Sequence, residues 1–121
     1  MGSVDWLLVV EDDEDTRETL RDVLGDHGYD VVTAANGREA LDLLAERPAP
    51  LPRLILLDLT MPMMSGWQLA THLQEHHEYR RIPLCILSAT AGLAPFGLRS
   101  LRKPIDLDLL VTTVAEYFAR H

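Results

Sequence analysis

The 121-residue chain reads as a single α/β domain built on a parallel β-sheet, and three observations carry that reading. Short apolar runs alternate with amphipathic helical patterns, as a β-α-β-α chain requires. The central run LILLDL, 54 to 59, is apolar at consecutive positions instead of alternating, which marks a strand covered on both faces. The length suits one hydrophobic core and is short for two.

Strands are predicted at WLLVV (6 to 10), YDVVTA (29 to 34), LILLDL (54 to 59), PLCILSA (83 to 89) and, with a thinner apolar pattern, LRSLRK (98 to 103). The first helix should run from about 14 to 26, with Leu20, Val23, Leu24 and His27 at three-four spacing. Its acidic start, Asp13, Glu14, Asp15 and Glu18, suits the positive end of the helix dipole, and Gly28 stands where a left-handed C-cap is wanted. A second helix begins near Asn36-Gly37, turns Ala40, Leu41 and Leu44 inward and stops before Pro48. RPAPLPR, 47 to 53, is a stiff connection back into the third strand. A third helix follows Ser65-Gly66 and carries Leu69, Ala70 and Leu73 to about His77. The last, 107 to 119, buries Leu110, Val111, Val114 and Phe118. Between Thr90 and Arg99 a regular helix is discouraged by Gly92, Pro95 and Gly97.

Composition narrows the function. A formal net charge of -8 argues against direct nucleic-acid binding, because a phosphate backbone needs a basic surface. No apolar stretch is long enough for a membrane span, and MGSVDWLLVVEDD lacks a secretory pattern, so the chain is expected in the cytoplasm. Cys85 is the only cysteine and sits inside PLCILSA, where it reads as a core filler. Ten of the eleven basic residues are Arg; the single Lys is Lys103, directly before Pro104. A compact ammonium serves where a planar fork does not.

The chemistry is expected at the strand exits. Asp58 ends an apolar strand, and ligands of open parallel sheets bind just outside the carboxyl ends of the strands. If the first and third strands are neighbours, Glu11 and Asp12 join Asp58 on one rim. Three carboxylates that close must bind a cation or take up protons, and Mg²⁺ suits an all-oxygen set with positions left for phosphoryl oxygens. Asp13, Glu14 and Asp15 are assigned to the acidic helix start instead. Ser88 and Lys103 bring a hydroxyl and an ammonium to the same rim, which completes a set suited to in-line phosphoryl transfer.

In order and over nearly the whole chain, LLVVEDDEDTR, NGREALDLL, LILLDLTMPMMSG, IPLCILSA and RKPIDLDLL resemble the receiver domains of two-component response regulators. The resemblance implies one receiver domain over 1 to 121, with the doubly wound five-stranded parallel sheet of order 2-1-3-4-5, flavodoxin-like, and helices on both faces. It implies Asp58 as phosphoacceptor, Glu11 and Asp12 as the acidic pair for Mg²⁺, and the Thr60 carbonyl as a further ligand. Ser88 would hold the phosphoryl group, and Lys103 would pair with it next to a cis bond to Pro104. The implied phosphodonor is a sensor histidine kinase or a histidine phosphotransfer protein. The implied readers are a downstream protein, a fused output domain or a second copy of the chain. The chain would not be an enzyme beyond assisting its own phosphotransfer and dephosphorylation.

Two features depart from that pattern. The stretch from Ser88 to Lys103 is shorter than in a usual receiver by roughly two helical turns, so the fourth helix is expected to be short or irregular. Ser100 stands three residues before the lysine, where a switching aromatic is common, with Phe96 nearby as a substitute or a core residue. These departures give weight to an alternative, a receiver-like interaction module that signals without phosphorylation. HLQEH, 72 to 76, matches the H-x-x-E-H pattern of inverted zinc peptidases but lacks other metal-ligand context. A haloacid-dehalogenase phosphatase would place a second Asp two residues after the first, where this chain has Thr60. EDDEDTRETLRD lacks the Gly and terminal Glu of an EF-hand.

Overall fold

In the computed structural model, residues 5–47, 49–59, 65–89 and 98–119 are described. The elements are β1 (Trp6–Val10), α1 (Glu14–Asp26), β2 (Asp30–Ala34), α2 (Gly37–Glu46), β3 (Leu54–Asp58), α3 (Gly66–Glu75), a 3₁₀ turn (Tyr79–Arg81), β4 (Leu84–Ser88), β5 (Arg99–Arg102) and α4 (Leu107–Ala119). The five strands are parallel in the order β2-β1-β3-β4-β5, as expected. The shortened fourth helix, expected between Thr90 and Arg99, falls mainly on 90–97, outside the described residues; so does Phe96.

The two-residue period of the strands divides the core. Trp6, Leu8, Val10, Ile55, Leu57, Leu84 and Ile86 pack with Ala40 and Leu44 of α2 and Leu69, Ala70 and Leu73 of α3. Leu7, Val9, Leu54, Leu56, Cys85 and Leu87 pack with Leu20 and Leu24 of α1 and Leu110 and Val114 of α4. Both faces are therefore covered, and β1 and β3, in the middle, are buried along their whole length. The sheet edges are wetter: β2 keeps an exposed Asp30, and β5 buries only Leu101.

Local signals set the helix ends. The Asp13 carboxylate caps α1 by accepting from Thr16 N at 2.9 Å and Thr16 Oγ1 at 2.6 Å. Gly28 has φ 92°, the left-handed conformation expected after this helix. The Asn36 amide oxygen accepts from Glu39 N at 2.8 Å, and Ser65 and Gln68 form a reciprocal capping box on α3.

Three expectations need correction. His27 is exposed and terminates α1 instead of joining its buried face. Val111, expected on the buried face of α4, is only half-buried and stands outside the core cluster; Thr113 is fully buried there instead, its hydroxyl accepting a hydrogen bond from Arg99 of a neighbouring strand at 3.3 Å. The 3₁₀ turn before β4 was not expected. His76 builds it by accepting at Nδ1 from Glu78 N (3.1 Å) and Tyr79 N (3.3 Å) while stacking on the Tyr79 ring at 3.9 Å.

Candidate functional site

The register carries the candidate residues to one rim. β1 pairs with β3 up to Val10 and Leu57, so the next residues, Glu11 and Asp58, emerge side by side. Asp58 lies opposite Leu87, which makes Ser88 the neighbouring exit, and Ser88 O accepts from Lys103 N at 2.8 Å just past β5. Four separate stretches of sequence thus meet because the strands are parallel and in that order.

Glu11 is fully buried and Asp58 is 5% exposed, whereas Asp12 faces solvent. Ligand oxygens of all three lie within 4.8 Å of one another. Glu11 Oε2 accepts from Asp13 N at 3.1 Å, which orients the carboxylate. Glu11 Oε1 meets the Lys103 ammonium at 2.7 Å but accepts no aligned hydrogen bond among the described residues. The same ammonium stands 3.5 Å from Asp58 Oδ2. Burial pulls the Lys103 pKa down, but contact with Glu11 and the charge of Asp58 more than offset it, so the net shift is upward and Lys103 is a firm cation. At the rim's edge, the Thr16 hydroxyl and backbone N–H hold the Asp13 carboxyl below its usual range.

Three clustered carboxylates, two of them against a single ammonium, leave an excess of negative charge in a partly dry site. A hard divalent cation fits this donor set: the ligands are all oxygen, they lie within 4.8 Å of one another, and the Glu11 carboxylate among them is fully buried. The expected Thr60 carbonyl ligand lies outside the described residues.

The backbone under Asp58 is fixed by α3. Gly66 N donates to Leu59 O at 2.8 Å, and a Cβ at Gly66 would run into the Asp58 carbonyl oxygen and lie 2.5 Å from Leu59 Cα. Only glycine allows the helix start to approach this closely. The Lys103–Pro104 bond is cis, as the resemblance implied.

Sequence reasoning passed over Arg17, whose guanidinium reaches the carbonyls of the acidic loop. An arginine in a first helical turn has no local pattern that separates this role from a solvated face. The HLQEH motif stays apart from the rim. His76 Nδ1 already accepts two backbone N–H groups, which leaves the ring proton on Nε2, and the only cluster of three metal-ligating groups among the described residues is Glu11, Asp12 and Asp58.

Comparison with known proteins agrees with the geometry. The family model described as response regulator receiver domain matches residues 7–115. An uncharacterised 14.6 kDa protein of Leptolyngbya boryana is 38% identical over 92% of this chain and 88% of its own length. The polar-differentiation response regulator DivK of Brucella anthropi is 31% identical over 92% of this chain and 94% of its own. Among solved structures, a response regulator from Chloroflexus aurantiacus superposes with a TM-score of 0.85 at 29% identity, covering 98% of this chain and all of that one. The chemotaxis protein CheY4 of Vibrio cholerae gives 0.80 at 27% identity, over 95% of this chain and 99% of its own. No helix among the described residues is long and apolar enough to cross a membrane.

Proposed function

The chain belongs to the response regulator receiver domain family, and from that premise we propose that Asp58 accepts a phosphoryl group from a phosphohistidine on a partner protein, a sensor histidine kinase or a histidine phosphotransfer protein, with Mg²⁺ at the carboxylate rim. The supporting observation is the convergence of Glu11, Asp12, Asp58 and Lys103 from three separate strand exits.

In the forward step an Asp58 carboxylate oxygen attacks phosphorus. A P–O bond forms as the P–N bond to the donor imidazole breaks, and the imidazole leaves with that electron pair. Glu11, Asp12 and Asp58 would hold the ion, joined by the Thr60 carbonyl, and the bound ion supplies neutralisation of the charge on the phosphoryl oxygens. Lys103 faces the new dianion, and the Ser88 hydroxyl donates to it. Attack of water on the acyl phosphate releases inorganic phosphate and restores the Asp58 carboxylate. The chain therefore acts as a switch that assists its own phosphorylation and reset, without turning over a separate substrate. Beside Lys103 the surface opens into a groove of about 290 Å³, lined by Thr16, Thr19, Pro104, Ile105 and Leu107. Downstream, the phosphorylated surface is read by protein contact, and a cytoplasmic setting is part of the same proposal.

Incubation with acetyl phosphate and Mg²⁺ should add one phosphoryl group by intact mass, and the adduct should vanish in chelator or in Asp58→Asn. An adduct that survives Asp58→Asn contradicts the assignment. Failure of any donor to label a folded chain that still binds its partner supports the interaction module that signals without phosphorylation.

A further inference from the structure

The Mg²⁺ reading above leaves open what holds the acidic loop in shape, and this inference rests on that reading. Arg17 lies in the first turn of α1, where the dipole disfavours a cation, so its charge is not there to stabilise the helix. Its side chain folds back over the β1–α1 loop instead. Nη1 donates to Glu11 O at 2.9 Å and approaches Asp12 O at 3.4 Å. These are the carbonyls of the two acids that the loop presents. The strand pairing ends at Val10, opposite Ala34 and Leu57, and Glu11 N makes the last bond to β2, donating to Ala34 O at 3.0 Å, so from the Glu11 carbonyl onward the sheet no longer dictates the path of the chain. Two further ties complete the staple: Asp13 N on Glu11 Oε2, and the Asp13 carboxylate on Thr16.

We propose that Arg17 is a positioning residue for the cation: by holding both carbonyls it fixes the spacing of the Glu11 and Asp12 carboxylates, so that they meet the ion together with Asp58 without reorganising. The sign of the effect separates this role from its rivals. A guanidinium acting only as a charge beside three carboxylates opposes a divalent ion, and its removal would tighten binding. A guanidinium acting only as a staple of the fold would lower the melting temperature on removal and leave the affinity of the folded chain unchanged. A positioning residue weakens binding when removed, even though a repulsion is relieved.

The test is calorimetric titration of the full chain with Mg²⁺, well below its melting temperature, for wild type, Arg17→Met and Arg17→Lys, with melting curves in chelator. Methionine keeps the apolar stem and the helix propensity, so the variant folds. Its Mg²⁺ affinity should fall about tenfold, the usual scale for groups that orient metal ligands. Lysine, whose donors can reach the carbonyls, should recover part of the loss. Exchange of the Asp13 amide should be faster in Arg17→Met without Mg²⁺, reporting the loosened loop directly. An Arg17→Met affinity equal to or above that of wild type, or unchanged Asp13 exchange, overturns the proposal and leaves the metal reading intact. A wild type that binds no Mg²⁺ removes both.

Discussion

The two ends of the sheet are built from the same strands on opposite principles. At the amino ends, cations meet matched partners. Arg53 pairs with Asp5 at 2.7 Å, donates to Phe118 O at 2.9 Å and lies over the Phe118 ring. Arg47 covers the Trp6 ring at 4.2 Å, and Trp6 Nε1 donates to Pro50 O at 2.9 Å. At the carboxyl ends, three carboxylates cluster and one ammonium reaches two of them, Glu11 at 2.7 Å and Asp58 at 3.5 Å. One edge closes the fold; the other keeps an excess of negative charge that a bound cation can relieve. Stability and function are thus separated along the strand axis, about five residues apart in each central strand.

This contrast can be broken in four ways, beginning with the largest expected effect. Gly66→Ala forces a methyl group into the backbone beneath Asp58 and should cost about 3 kcal/mol in a denaturant melt. A cost near zero would show that the α3 start has room to move. Arg53→Ala should cost about 2 kcal/mol, mostly through the charged hydrogen bond to Phe118 O and less through the half-exposed Asp5 pair. Its Mg²⁺ affinity should match that of wild type, since the two ends are separate; a coupled loss would undo that separation. Asp58→Asn should raise metal-free stability by on the order of 1 kcal/mol, because one member of a repelling set is neutralised while Glu11 still holds Lys103. A lower melting temperature would mean that the rim is not frustrated.

The smallest effect is alkaline. Burial pushes the Cys85 thiol up to about 11 against the opposing charge of Arg99, and Lys103 is also raised. Both groups hold their protons more firmly in the native state than in the unfolded chain. Their stabilisation is therefore complete below the unfolded values of 9.0 and 10.5 and is lost as pH rises through the native ones. Urea midpoints should decline from about pH 9 upward, and Cys85→Val should flatten the early part of that decline. An unchanged pH profile in the variant would assign the decline to other groups.

The legible parts of the molecule were those governed by short-range physics. The apolar runs, the caps at Asp13, Asn36 and Ser65, and Gly28 each depend on neighbours a few residues away. Strand ends were overestimated by a residue or so, because apolar character continues past the last ladder pair. The 3₁₀ turn escaped notice since it depends on a histidine accepting from the main chain, which is not the usual reading of His76 in a helix end. Asp58 could be singled out because an acid closing an apolar strand conflicts with its surroundings, and such conflicts mark function.

By itself, the sequence determined where strands and helices form, which face of each is apolar and which residue stands at each strand exit, since periodicity and capping are local. The tertiary structure alone decided that Lys103 sits closer to Glu11 than to Asp58, that Arg17 reaches back to the acidic loop and that α3 presses on the Asp58 backbone. Those contacts depend on strand order, register and side-chain packing between distant segments, and a few tenths of a nanometre at that level fix which charges meet.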